Sequence, residues 1–392
     1  MLRKKYYAFL FALVVSGILT ACSEKQDIEK NVTEIIENIS DESNDTTDVS
    51  DSSSTTEKSK ADEMREMFGD NCIGEQTFSV ELSEYAGEVY FVPYAPSAEN
   101  PEFSIEIIQN GEVLTTINAY VPESLAGESF SRLDAVSFYD VNYDNCTDIV
   151  LIQTYGDTTF TAIYYGFAPD AYDYERYFSV QNQLSDTITS QVANLTIPEI
   201  RNFLSDGKKN GTFTSYQEAY TYVSKLSELE GTRDLAYNLI YFDGDDIPEL
   251  VTGKESYYVN LYTYHDGTVY KPMNHWGYGA GGNAGYEYSP YKNSLRNSNT
   301  DYAGAILYTT YAAMNKQYLI ETVADIKLVN FDDVNENGMP DPEEEGSIGY
   351  YGVLYLNGEE ATSEECDAYD IGGYEYIRPI MSLDELNTAL GY

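Results

Sequence analysis

Apolar residues between 76 and 181 recur at every second position or gather in short runs, which is the pattern of strands. Thr77-Phe-Ser-Val-Glu-Leu82, Glu88-Val-Tyr-Phe-Val92, Phe103-Ser-Ile-Glu-Ile-Ile108 and Val113-Leu-Thr-Thr-Ile117 each read as one strand. Asn110-Gly111 supplies the two positive-φ residues of a tight hairpin between the last two. Ala135-Val-Ser-Phe-Tyr139, Ile149-Val-Leu-Ile152 and residues 159–165 continue the series, with a turn at Gly156-Asp157. The period then lengthens. Pro198 near its start and Gly207 beyond its end frame a short helix. Ser215-x-x-Glu218 is a capping box for a second, whose Tyr216, Ala219, Tyr220, Val223 and Leu226 follow helical spacing up to Gly231.

Strand grammar returns with Leu239-Ile-Tyr-Phe242, Leu250-Val251, residues 257–264 and a turn at Asp266-Gly267. Strand, acidic loop, strand, turn and strand thus occur twice, about 101 residues apart as counted from Asp144 to Asp245. The tail adds a third acidic loop, a Tyr-rich hairpin around Asn357-Gly358 and a final helix capped by Ser382-x-x-Glu385. These elements predict a mainly β fold with a helical connector (α+β). Two β-rich lobes would carry acidic-loop hairpins. The expected divisions are 1–21, 22–68, 69–195 (N-terminal β domain), 196–232 (helical connector) and 233–392 (C-terminal β-rich domain).

The acidic loops carry the clearest chemistry. Asp140-Val-Asn-Tyr-Asp-Asn-Cys-Thr-Asp148 sets side-chain oxygens at Asp140, Asn142, Asp144 and Asp148, positions 1, 3, 5 and 9, with the Cys146 carbonyl at position 7. A hard cation needs six to eight oxygens, and this spacing wraps them around one ion, calcium. Position 6 turns sharply. Asn145 stands there, and Asn tolerates positive φ best among residues with a side chain. The second loop keeps Asp243, Asp245 and Glu249, but Tyr241 replaces the acid at position 1 and Asp246 sits at the sharp turn at some backbone cost. Metal there, or an empty turn holding two strands in register, both remain open. The third loop offers Asp333, Asn335, Asn337, the Met339 carbonyl, Asp341 and Glu344, with Gly338 at position 6, which is EF-hand ligand spacing. Pro340 and Pro342 oppose a helix leaving it.

The stretch from Asp140 to Ile152 resembles the calcium loop of VCBS/FG-GAP repeats, and 243–250 resembles a degraded copy. The chain as a whole resembles VCBS-repeat lipoproteins of Gram-positive bacteria. That resemblance implies calcium binding and surface exposure, and no reaction. With two copies and a helical interruption, a closed propeller is not expected.

The N-terminus points the same way. Arg3, Lys4 and Lys5 precede an apolar run over 6–18, and Leu19-Thr20-Ala21-Cys22 resembles a bacterial lipobox. The resemblance implies cleavage before Cys22 and lipidation of it, placing the protein on the extracytoplasmic face of the cell membrane by a lipid anchor. Residues 23–66 hold 14 acidic and 5 basic side chains, with Ser, Thr and Asn filling 40–56, so 22–68 is expected to be a disordered acidic tether. A short helix over 28–39 is compatible with the spacing of Ile28, Val32, Ile35, Ile36 and Ile39.

Net charge sharpens the choice of partner. With 66 acidic against 22 basic residues the chain carries −44, which disfavours nucleic acid and anionic lipid and favours divalent cations. Three cysteines beyond Cys22 (Cys72, Cys146, Cys366) cannot all pair within one chain; one bridge, Cys72–Cys146, is allowed by an oxidising exterior. No C-x-x-C or Cys/His cluster points to zinc.

Catalytic arrangements are scarce. The two histidines, His265 and His275, belong to no H-E-x-x-H, and neither G-x-S-x-G nor a phosphate-binding lysine loop occurs. His265 reads as a surface residue at a strand end. Trp276, Tyr278, Tyr286 and Tyr288 flank a Gly-rich run and could offer flat faces to a sugar or peptide, or simply border a loop. The expectation is therefore a non-catalytic, calcium-binding surface lipoprotein that binds a glycan or protein, or serves as an envelope accessory protein. The alternative is a secreted, glycosidase-like hydrolase using a carboxylate pair.

Overall fold

Alternation along the first strands sends side chains into two different cores. The computed structural model describes residues 59–167, 178–231, 233–278, 285–335 and 337–392. The expected signal peptide, Cys22, the helix over 28–39 and the Gly-rich segment 279–284 lie outside the described residues. β1 (Phe78–Glu81), β2 (Glu88–Tyr94), β3 (Ser104–Gln109) and β4 (Glu112–Asn118) form an antiparallel meander. Val89, Phe91, Ile105 and Ile107 enter one core, while Val92 and Ile108 face the other way onto Met64 and Cys72. Met64 belongs to α1 (Lys60–Phe68), capped by the Ser59 hydroxyl. This helix falls inside the stretch expected to be a disordered tether. Its Met64 and Phe68 find an apolar partner on the back of the first sheet, which composition alone does not reveal.

The second sheet runs β5 (Phe130–Tyr139), β6 (Asp148–Tyr155), β7 (Thr158–Gly166) and β8 (Phe178–Val180). Every residue of β6 is buried. Its unbroken Ile149-Val-Leu-Ile152 run is what a strand covered on both faces requires. Ile149 and Leu151 pack on the first sheet; Val150 and Ile152 pack on helices. Those helices are α2 (Asn182–Gln191), α3 (Ile197–Ser205) and α4 (Tyr216–Leu229). The first of them lies within the expected N-terminal β domain. Thr196 and Ser215 cap the other two, and Asp206 turns left-handed (φ 53°) at the end of α3.

Across the helices lies the third sheet, β9 (Ala236–Ile240), β10 (Glu249–Lys254), β11 (Tyr258–His265) and β12 (Thr268–Gly277), again a meander. Leu250, Tyr262 and Tyr264 join the helical core; Val251, Val259, Leu261 and Met273 face away. They meet Leu295, Ala312 and Met314 of the fourth sheet. That sheet is built from β13 (Tyr286–Ser289), β14 (Ser294–Asp301), β15 (Ile306–Met314), β16 (Ile320–Val329), β17 (Val353–Leu356), β18 (Glu359–Ala361) and β19 (Glu375–Tyr376). Its order is β18-β17-β16-β15-β14-β13-β19, so the chain's return places β19 beside β13. Between the last strands sits α5 (Ser363–Asp367), and α6 (Leu383–Leu390) closes the chain against the helical core.

The fold is mainly β with several antiparallel sheets and, among the described residues, none is closed into a barrel or propeller. Residues 58–392 form one unit, and the helical layer is packed by both the second and third sheets.

Candidate metal centres and an adjoining groove

The two expected repeats superimpose in register. Tyr139 pairs with Asp148 across the first acidic loop, and Ile240 pairs with Glu249 across the second. Inside the first loop, the Val141 N–H donates to Asp148 Oδ2 (2.6 Å), the Asp144 N–H to Asn142 Oδ1 (3.0 Å), and the Cys146 N–H to Asp144 Oδ1 (2.9 Å). In the second, the Phe242 N–H donates to Glu249 Oε2 (2.7 Å), the Asp245 N–H to Asp243 Oδ1 (2.9 Å), and the Ile247 N–H to Asp245 Oδ1 (2.7 Å). The third loop has the same ring: Val334 N–H to Glu344 Oε1 (2.8 Å), Asn337 N–H to Asn335 Oδ1 (3.0 Å), and Met339 N–H to Asn337 Oδ1 (2.8 Å). In each, short acidic or amide side chains satisfy N–H groups that no strand can reach, which frees the backbone to curl.

Position 1 separates the loops. Asp140 accepts from the Asp144 and Asn145 N–H groups, and Asp333 from those of Asn337 and Gly338. Asn145 and Gly338 stand at φ 64° and 78°, as the sharp sixth position demands. Tyr241 can make no such bonds; its ring stacks instead on Tyr291 at 5.0 Å. Without the position-1 anchor the loop turns differently, and Asp246 stays out of the left-handed region, so the expected backbone cost is not incurred.

The first loop concentrates charge where water is excluded. Burial pushes the Asp140 carboxyl up to about 7, with Asp144's charge adding. Asp148, fully buried, is raised well above its ordinary value by burial and then by Asp144 and Asp140. Its second oxygen accepts from the Gly166 N–H at 2.9 Å. Glu84, which sequence reasoning missed, reaches this loop from the β1–β2 turn. Its Oε1 accepts from the Thr147 N–H at 2.8 Å, while its buried Oε2 has no hydrogen-bond partner. Burial raises its carboxyl too. Oxygen donors that are buried, crowded and in one case unsatisfied fit a hard divalent cation, whose charge would reverse each of these shifts.

Two groups from β12 close over the same loop. Asn274 donates from Nδ2 to Asp144 Oδ2 at 3.0 Å, joining residues 130 positions apart. Lys271 stands 5.3 Å over the Tyr262 ring; burial opposes its charge, but Tyr262, Asp144 and Glu230 outweigh it and hold it protonated. Sequence reasoning had no signal for the Asn274–Asp144 contact, because it crosses from the third sheet to the second.

At the second loop, Glu249 is 1% exposed and pushed up to about 8 by burial, then by Asp243 and Asp245. His265, expected at the surface, is brought to this loop by β11. Its Nε2 lies 3.8 Å from Asp243 Oδ2 and its Nδ1 3.7 Å from Asp245 Oδ2. Among the described residues, Asp243, Asp245 and His265 form the one group of three such ligand atoms lying within 4.8 Å of one another. At the third loop, Asp341 Oδ2 accepts from Asn335 and Asn337, and Glu344 is buried; a single 3-10 turn, Glu345–Ser347, follows in place of a long helix.

Beside the third loop lies a groove of about 890 Å³ on the fourth sheet. Its floor is the row Tyr308, Lys327 and Tyr355, aligned across three strands, followed by Asp325 and Asn357. Asp333, Asn337 and Gly338 form one end, next to Tyr351, which is 52% exposed. The aromatic residues named from sequence behave differently. Tyr288 is 6% exposed and buried in the core against the third sheet, so it offers no face. Trp276 and Tyr278 each pack on Tyr286, and the hydroxyls of Tyr278 and Tyr286 donate to the Ile377 and Gly277 carbonyls. Cys72, Cys146 and Cys366 are buried thiols, with no bridge between Cys72 and Cys146.

No protein-family model matches this chain, and a search of curated proteins finds no match either.

Proposed function

We propose that the protein is a calcium-stabilised lipoprotein of the cell surface that binds a ligand and transforms none. The observation that carries the calcium reading is the buried carboxylate set of the first loop: Asp140 and Asp148 both raised by burial and then by the charge of Asp144, beside Glu84 with an oxygen left unpaired. Asp140, Asn142, Asp144, the Cys146 carbonyl and Asp148 would hold the ion, as would Asp333, Asn335, Asn337, the Met339 carbonyl, Asp341 and Glu344 at the third loop. The ion's contribution is structural: it fixes the β5–β6 turn and, through Asp144 and Asn274, the contact between the second and third sheets. Extracellular calcium loops bind at about 10⁻⁴–10⁻³ M, and occupancy at ten times the dissociation constant adds roughly 1.4 kcal/mol.

The lipobox-like Leu19-Thr20-Ala21-Cys22 supports anchoring, and the acidic stretch after it would hold the folded part away from the bilayer. The groove supports the binding role. Tyr308 and Tyr355 line it together with a lysine, a carboxylate and an amide, a mixture that suits a glycan or an extended protein segment. Melting of the mature protein in millimolar calcium and in chelator tests the first part. The transition is expected to fall in chelator, and Asp144→Ala is expected to remove most of that difference; identical curves refute the calcium role. A glycan and cell-wall binding screen on the wild type and Tyr355→Ala tests the second.

A further inference from the structure

The second loop has lost the acid that a calcium site needs first, yet a nitrogen donor has arrived from another strand. We propose that Asp243, Asp245 and His265 form a site for zinc, distinct in metal preference from the other two loops. The sequence shows no zinc spacing because the histidine lies on β11, beyond the β10 hairpin, and reaches the loop only once the third sheet is paired.

Geometry supplies the first argument. In a tetrahedral shell with bonds of about 2.0–2.1 Å, neighbouring ligand atoms stand about 3.4 Å apart. His265 Nδ1 already lies 3.7 Å from Asp245 Oδ2, and one ligand atom from each of Asp243, Asp245 and His265 lies within 4.8 Å of the others, so closure needs shifts of about an ångström or less. Calcium, by contrast, needs six to eight oxygens at 2.3–2.6 Å, and Tyr241 has removed the first of them. An imidazole with two carboxylates is a borderline donor set, which favours zinc over calcium.

The second argument is independent of the carboxylates and concerns how the ring is held. Metal-binding histidines characteristically donate their other ring N–H to a fixed acceptor, which sets the tautomer. Thr263 Oγ1 lies 2.9 Å from His265 Nε2, and the same hydroxyl lies 3.4 Å from Glu249 Oε1. Thr263 has one proton. Giving it to Glu249 leaves its oxygen to accept Nε2–H, so the lone pair resides on Nδ1, on the side of Asp245. Tyr318, from the β15–β16 turn, stacks on the imidazole at 4.3 Å and 15° and fixes its plane. The side chains of Asp243, His265 and Asp245 are 15%, 19% and 35% exposed, so the cup opens to solvent and leaves a fourth position for water or a ligand.

The chain has two histidines, which makes the test direct. Histidine ring ¹⁵N spectra of the mature, ¹⁵N-labelled protein are recorded in chelator, with one equivalent of zinc, and with millimolar calcium. His265 is expected to show the Nε2–H tautomer in chelator, and zinc is expected to shift its Nδ1 by tens of ppm while His275 stays in place. Calcium alone should leave both rings unmoved. By calorimetry, Thr263→Val is expected to weaken zinc binding 10–100-fold and His265→Ala to abolish it, whereas His275→Ala keeps it. A His265 signal unmoved at saturating zinc overturns the proposal even if no variant folds. So does zinc binding that survives His265→Ala. Neither outcome touches calcium at the first loop, which the melting experiment decides separately.

Discussion

The first and second acidic loops share a frame and differ in filling. Both span the same strand register, and both tie off with a buried carboxylate at the start of the next strand, Asp148 or Glu249, that accepts an N–H from seven residues earlier. The first is lined by oxygen and sealed by Glu84, Asn274 and Lys271. The second has lost its leading acid, gained His265 and stayed half-open. The difference teaches that the hydrogen-bond ring is the durable part of such a loop, because it satisfies backbone that would otherwise be stranded. The ion it suits depends on one or two donors that the frame does not need.

The largest test concerns what the loops share. Asp148→Ala leaves the buried Val141 and Gly166 N–H groups without acceptors, at about 1–3 kcal/mol each. Glu249→Ala strands the Phe242 N–H and the Thr263 hydroxyl in the same way. Both variants should lose several kcal/mol in denaturant melts; a mild effect in only one would show that the shared frame is not what holds that loop.

pH separates them next. In chelator, Asp140 and Glu249 have folded pKa values of about 7 and 8, above the ordinary carboxylate range in the unfolded chain, so the folded state binds more protons. Their contribution to stability is fully present below about pH 4 and is lost as pH rises through 7 and then 8. Calcium should cancel the Asp140 part and leave the Glu249 part. Chelator melts that are flat between pH 5 and 8 would contradict this.

A smaller, constructive test converts one loop toward the other. Tyr241→Asp restores position 1 in the second loop, and a new calcium-dependent stabilisation of roughly 1.4 kcal/mol is expected at ten times the dissociation constant. The smallest effect concerns the sharp turn. Asn145→Gly relieves a side chain at φ 64° and should change stability by only a few tenths of a kcal/mol, since Asn already tolerates that conformation.

What the sequence settled by itself is local. Asn110-Gly111, Asp266-Gly267 and Asn357-Gly358 all turn with both residues at positive φ, because the preference is intrinsic to those residue pairs. The caps at Ser215 and Ser382, the strands around each acidic loop, and the mainly β character followed for the same reason: periodicity and turn chemistry act over a few residues. The tertiary structure decided everything that required distant chain to meet. It folded α1 onto the first sheet, returned β19 to β13, and buried Tyr288, which on the chain looked like an exposed ring. It also brought Glu84 to one loop and His265 to another, and set Asn274 on Asp144. Those contacts join residues whose types are unremarkable alone, and only the pairing of strands and the packing of sheets across the helical layer fixes the distances at which their charges and lone pairs act.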